Sequence, residues 1–354
     1  MPEKKKQHYV PKFYLRFFSL ENSSKHIKLC LKKNGEIIDK ADLEGQAQET
    51  YFYGKDLERE KWFENIEDKV SVVLREVVET KNLPKNKSDN YYWIWLFMLL
   101  QSYRTRSNSN DFNKVVDTTL KTAMRLEPKF KDFDFETHFF AYDDAIEKSL
   151  DLLLRSLPML MDMQIKLLFN KTSKELITSD NPISKYNQFL ESRKFPNGHT
   201  GMASKGLQIF YPLAPDLALI MYDPKVYKVG NKKQFDRIKI SIEDVLALNM
   251  LTCLHANKSL YGTDKITNYD FEKILENAIK FENQKKIDVH HFDPVPEDDD
   301  TESVIVQHHR TPYMVNLQLT FTKQTQHAKY YKMSGYYAEL RNEGYREAKN
   351  RPNS

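Results

Sequence analysis

Tyr91-Tyr92-Trp93-Ile94-Trp95-Leu96-Phe97-Met98-Leu99-Leu100 is the longest apolar run in the chain. It is about half the length that a membrane-spanning helix requires. The run therefore predicts a helix buried nearly all round inside a folded protein. It continues into Gln101 and Arg104, and Trp93, Phe97, Leu100 and Arg104 follow i, i+4, i+7, i+11 spacing. The guanidinium thus extends an apolar stripe and has to meet a carboxylate, with Glu67 as the structural partner, or an anionic ligand such as a phosphate; the two can coexist.

Helical periodicity spreads outward from this run over about residues 56–165. One helix is expected at about 56–80, the apolar one at about 89–106, and two or three more up to Met163. Before them, His26 to Ile38 alternates around Asn34-Gly35, the signature of a β-hairpin over 26–40. After them strands dominate. Lys166–Phe169 and Glu175–Thr178 flank a turn, followed by Leu207–Phe210, Leu217–Met221 and Ile238–Ile240. Helices near 242–257 and 269–284 close the compact part. Grouped rather than alternating elements predict an α+β fold, a helical segment packed on a mixed or antiparallel sheet. Residues 1–285 form the main domain in this reading. An acidic linker follows over 286–302, and a basic, aromatic C-terminal extension with two strands (Ser303–Gln307 and Met314–Phe321) over 303–354.

The 354 residues are 40% hydrophobic and 29% charged, which supports a core and argues against a membrane protein. No apolar segment follows the lysines at the start, and Cys30 and Cys253 are the only cysteines. Neither a disulfide framework nor a thiolate zinc site is expected, and a cytoplasmic location is. Ten glycines and no phosphate loop exclude Rossmann and P-loop readings. The net charge of +4 says little, but lysines and arginines interleaved with Tyr330, Tyr331, Tyr336, Tyr337 and Tyr345 suit nucleic acid. Oligomeric state is not readable.

Four polar features stand where polar groups are uncomfortable. His8 precedes Pro11 at the mouth of an aromatic helix, anchored in this reading by Phe13, Phe17 and Phe18. Glu60 and Glu67 lie seven apart at the rim of an apolar face formed by Phe63, Ile66, Val70, Val73, Leu74 and Val77. Glu64 and Asp68 are expected further round, toward water. Arg104, with Gln101, is the third feature. The fourth is Ser179-Asp180-Asn181-Pro182, either a site of catalytic or metal-ligating groups or an ordinary Asx turn. Asn249 reads as a buried amide that stitches backbone together. His290-His291 and His308-His309 carry no ligand spacing that favours a metal.

These segments carry a resemblance. His8-Tyr9-Val10-Pro11 through Phe18, Glu60/Glu67, Gln101 to Thr105, Ile177 to Pro182 and Tyr211 to Pro215 resemble, in order over about residues 7–262, the family catalogued as domain of unknown function number 4238. Its members occur mainly in bacteria and phages. The resemblance implies a shared fold and a shared polar site, with no reaction attached.

The expected function is metal-assisted phosphodiester hydrolysis on nucleic acid, in a toxin-like or phage-defence nuclease. His8 would be base or ligand. Glu67 and Asp180, helped by Glu60, would hold Mg²⁺ or Mn²⁺. Arg104 would neutralise the scissile phosphate, and Gln101, Ser179 and Asn181 would contact substrate. The alternative is a non-enzymatic module that binds a nucleotide, an anion or a protein beside a structural polar network.

Overall fold

The computed structural model describes residues 6–21, 23–54, 58–195, 199–230, 237–282, 287–295, 303–310, 313–331 and 340–341, with 287–295 and 303–310 as backbone alone. The chain opens with β1 (Lys6–His8) and α1 (Lys12–Leu15), then β2 (His26–Leu31), β3 (Ile37–Asp42) and β4 (Gln48–Thr50). The helical stretch holds α2 (Glu58–Thr80), α3 (Asp89–Tyr103), α4 (Arg106–Arg125) and α5 (Ala145–Ser156). Next come β5 (Gln164–Asn170), β6 (Thr178–Ser179), β7 (Ser184–Tyr186), α6 (Gln188–Glu191), β8 (Gln208–Ala214) and β9 (Leu217–Tyr222). β10 (Tyr227–Val229), β11 (Arg237–Ile240), α7 (Ile242–His255), β12 (Ser259–Gly262) and α8 (Asn268–Glu282) follow. The chain then runs through β13 (Ile287–Val295), β14 (Ser303–Arg310), β15 (Thr322–Gln324) and α9 (Gln326–Tyr330).

A mixed five-stranded sheet, ordered β11-β5-β9-β8-β7, forms the middle layer; β11 and β5 are parallel and the other pairs antiparallel. Its central strands β8 and β9 are buried along their whole length because both faces are covered, whereas the edge strand β11 alternates buried and exposed residues. Leu217, Leu219 and Met221 of β9 join a core with Phe63 and Val70 of α2 and Phe97 of α3. The alternate residues Ala218, Ile220 and Tyr222 join a second core with Leu248 of α7 and Phe271 of α8. A second, antiparallel sheet, β3-β2-β12-β6, lies alongside. The architecture is α+β, helices against mixed and antiparallel sheets. Among the described residues no helix is long and apolar enough to cross a membrane.

Several elements follow the sequence reading closely. The hairpin of β2 and β3 turns at Gly35, whose φ of +70° suits glycine. The buried face of α2 is Phe63, Ile66, Val70, Val73, Leu74 and Val77, with Ser71 added. The apolar helix stops at Arg104 instead of running to 106, because Thr105 caps α4 through the Asn108 amide and donates its hydroxyl to Asn181 Oδ1 (3.0 Å).

Other elements differ. α1 is a single turn that tightens into a 3₁₀ turn over Arg16–Phe18. Leu15 and Phe18, spaced i, i+3, thereby come to one side, and the buried anchors are Tyr14, Leu15 and Phe18, with Phe13 and Phe17 half-buried. Lys166–Phe169 and Glu175–Thr178 belong to different sheets, and Glu175–Ile177 is not a strand. Asn249 supplies the missing partner: it accepts from the Ile177 amide (3.0 Å) and donates to the Glu175 carbonyl (2.8 Å).

Residues 313–331, expected in the C-terminal extension, pack into the second core through Val315, Leu317, Leu319 and Phe321. Their backbone amides go to side chains rather than to a strand: Asn316 to Glu191 Oε1, Leu317 to the Tyr186 hydroxyl, Thr320 to Asp244 Oδ1. Of the linker expected over 286–302, residues 287–295 form β13, paired with β14. Its acidic run at 297–300 lies outside the described residues, as do Tyr336, Tyr337 and Tyr345. The paired histidines stand on β13 and β14, where only backbone is described.

Candidate functional site

The short pair β1–β4 crosses in front of α2 and leaves a hollow of about 790 Å³ between them. β4 is bracketed by two left-handed residues, Ala47 (φ +47°) and Tyr51 (φ +54°), strained positions for side chains of this kind. The Ala47 carbonyl accepts from the Tyr9 amide (3.0 Å), which fastens the chain just beyond His8. The neighbouring Gln46 carbonyl stands 3.1 Å from His8 Nδ1. Tyr53 seals the inner end. Its hydroxyl donates to the His8 carbonyl (3.2 Å) and its amide to Gln7 Oε1 (2.6 Å).

His8, Glu60 and Glu67 all line this hollow. So do Glu64 and Asp68, which the sequence reading placed toward water. Glu60, Glu64, Glu67, Ser71 and Arg75 succeed one another at three- and four-residue steps, one stripe down α2. That spacing was present in the sequence. What hid it was that a stripe of acids reads as a solvated face until another segment is laid across it. Asp42 and Glu44 close the far rim, where Lys12 pairs with Glu44 at 3.5 Å. Six lining carboxylates face three lining cations, Lys6, Lys12 and Arg75. The hollow is therefore acidic. Burial, with the nearby Lys12 cation, pushes the His8 pKa down to about 4 against the Gln46 hydrogen bond, so the imidazole is neutral near pH 7. A neutral ring facing a carbonyl through Nδ1 carries its proton there, which leaves Nε2 with a lone pair.

Arg104 stands behind the hollow rather than in it. Its side chain is 1% exposed, and its Nη1 donates to Glu67 Oε1 at 2.7 Å. Nε donates to Gln101 Oε1 (2.8 Å), and Gln101 Nε2 donates to the Tyr9 carbonyl (2.9 Å). Neither Arg104, expected as a phosphate clamp, nor Gln101, expected as a substrate contact, lines the cavity.

Asp180, Ser179 and Asn181 are elsewhere again. Asp180 Oδ1 and Oδ2 accept from the Asn257 (2.9 Å) and Lys258 (2.8 Å) amides, and the side chain is 2% exposed. Burial pushes its pKa up to about 6, against the backbone donors that pull it down. Ser179 Oγ accepts from the Asn181 amide, while Asn181 accepts from Thr105 and donates to the His255 carbonyl. Next to them the Tyr14 hydroxyl contacts Thr178 Oγ1 (2.5 Å) and donates to the Pro212 carbonyl (2.7 Å). Asp180, expected to hold a metal jointly with Glu67, does not line the hollow that Glu67 lines. The physical reason is the connection from α7 to β12, whose amides take both Asp180 oxygens. Among the described residues no three His, Cys, Asp or Glu side chains group closely enough to hold a metal ion.

The family described as "Protein of unknown function (DUF4238)" matches residues 6–266, which include both polar clusters. No curated protein and no solved structure matches the chain.

Proposed function

We propose, on the premise that the chain belongs to the DUF4238 family, that the hollow between β1 and α2 is a site of metal-assisted phosphodiester hydrolysis on nucleic acid. The observation that carries this reading is His8: a neutral imidazole, held through Nδ1 by the Gln46 carbonyl, on the same wall system as the Glu60 and Glu67 carboxylates. Fixing one ring nitrogen on a carbonyl orients the other to take a proton from water. Glu67 is held in turn by Arg104, so both groups keep their places without substrate.

An acidic hollow repels a phosphodiester unless a cation intervenes. Glu60 and Glu67 offer hard oxygen donors that suit Mg²⁺ or Mn²⁺, ions that keep several waters and need only one or two protein carboxylates. Bound there, such an ion would neutralise phosphate charge and acidify a water. Asp180 has no part in this set, since both its oxygens are engaged by backbone amides. A cytoplasmic nuclease of toxin or phage-defence type is the setting we infer. A second reading has one specific observation behind it. Six acids line the hollow, and Gln101, Ser179, Asp180 and Asn181 are all spent on internal bonds, which favours a non-catalytic pocket for a cationic ligand.

The test incubates purified protein with RNA and DNA, with and without Mg²⁺ or Mn²⁺, beside His8→Ala and Glu67→Gln. Cleavage that needs metal and is lost in both variants is expected. Undiminished cleavage in either variant would remove the mechanism. A parent that binds Mn²⁺ yet cleaves nothing selects the second reading.

A further inference from the structure

We propose that Gln101 and Arg104 form a buried relay that fixes the Glu67 carboxylate relative to the His8 strand, making both of them positioning residues of the hollow. This rests on the reading of the hollow as a reaction site.

Three hydrogen bonds in series join the two walls. The Tyr9 carbonyl, one residue beyond His8, accepts from Gln101 Nε2 at 2.9 Å; Gln101 Oε1 accepts from Arg104 Nε at 2.8 Å. Arg104 Nη1 then donates to Glu67 Oε1 at 2.7 Å. Each bond sets the angle of the next. The Gln101 amide has its oxygen committed on one side and its nitrogen on the other, so it cannot flip without losing both. The guanidinium lies over two aromatic rings, 4.9 Å from the centroid of Phe63 and 5.6 Å from that of Phe97. Gln101 is 0% exposed, and neither residue lines the cavity. Arg104 touches Glu67, which faces the hollow, and Gln101 touches the backbone one residue beyond His8; neither reaches the contents of the hollow.

Stability alone does not account for an arginine here. Position 104 continues the stripe of Trp93, Phe97 and Leu100, so an apolar side chain of similar length would complete the core without burying a charge. Arg104 Nη2 is buried and has no hydrogen-bond partner among the described residues, a desolvation cost. What arginine adds is geometry. Its fork engages an amide oxygen and a carboxylate at once, which the point charge of lysine cannot do at fixed angles. A carboxylate on a long side chain otherwise samples several rotamers, and a catalytic group that wanders loses rate rather than substrate affinity.

Two measurements test this. Steady-state kinetics on metal-activated cleavage compares the parent with Arg104→Lys and Gln101→Leu. The relay predicts a kcat lower by about 10–100-fold, the usual scale for losing a supporting hydrogen bond, with KM within about threefold. Parent-like kcat in both variants overturns the proposal. A loss confined to KM also overturns it, since that would place Arg104 on the substrate. The second measurement needs no activity: a double-mutant cycle on the folding constant, combining Gln101→Leu with Glu67→Gln. Gln101 and Glu67 are linked through Arg104, which bonds to both, so the relay predicts coupling of about fivefold or more in the parent and none in the Arg104→Met background. Additivity in the parent overturns the relay. A parent inactive on every substrate sinks the reading of the hollow, and the cycle then decides the relay alone.

Discussion

Two polar clusters look alike as letters and differ completely in the folded chain. At the Ser179-Asp180-Asn181 turn both carboxylate oxygens and the Asn181 amide nitrogen engage backbone, the Asn181 oxygen accepts from the Thr105 hydroxyl, and the side chains are at most 9% exposed. Along α2 the acids are half-buried or exposed and border an open volume of about 790 Å³. The turn is mortar: it ties β6 to the connection between α7 and β12. The hollow is a vessel. A polar residue at the end of an apolar element is thus no guide to function until its hydrogen bonds have been accounted for.

The largest effect that sharpens this contrast is on turnover. His8→Ala removes the proposed proton acceptor and is expected to lower kcat by about 10²–10⁴, read by single-turnover cleavage, with the far-ultraviolet dichroism of the parent. At the turn the loss falls on stability. Asp180→Ala leaves the Asn257 and Lys258 amides without their acceptor and is expected to cost about 2–4 kcal/mol in urea unfolding. Glu64→Ala, on the hollow wall, should stay within about 0.5 kcal/mol. Comparable losses for the two would erase the distinction. Tyr14→Phe is smaller: it deletes a buried hydroxyl that bridges Thr178 and Pro212, at about 1–1.5 kcal/mol by the same assay.

The smallest effect is on pH dependence, and its sign separates the clusters. His8 has a folded pKa of about 4, below its ordinary 6.5. The unfolded chain therefore binds the extra proton between those values, and this group makes stability rise with pH across that window. Asp180 is raised to about 6 from 3.8, so the folded chain holds the extra proton and stability falls with pH over nearly the same range. The two slopes oppose each other. Asp180→Asn should leave the rising slope, and His8→Asn the falling one, in urea midpoints measured from pH 4 to 6.5. Unchanged slopes in both variants would mean that neither group is buried as described.

Much of this was readable from residues. The buried face of α2, the Asn34-Gly35 hairpin, the helices ending near 255 and 282, and the role of Asn249 all follow from local spacing and turn chemistry. So did the position of Glu60 and Glu67 at the edge of that face. What local patterns cannot carry is which distant segment crosses which. Glu64 and Asp68 became lining residues because β1 and β4 are laid over α2. Met314–Phe321 keeps the alternation expected of a strand, yet its amides find Glu191, Tyr186 and Asp244 instead of a neighbouring strand. Both Asp180 oxygens are taken by two amides more than seventy residues away. Each miss is a nonlocal contact.

The most direct trial of the account is the cleavage rate per folded molecule of Glu67→Gln beside Asp180→Asn, with the folded fraction measured in the same samples. The account predicts that Asp180→Asn, though less stable, keeps the parent rate within about threefold, while Glu67→Gln loses at least about a hundredfold. A Glu67→Gln protein as active as the parent, or an Asp180→Asn protein that is folded and inactive, would contradict it.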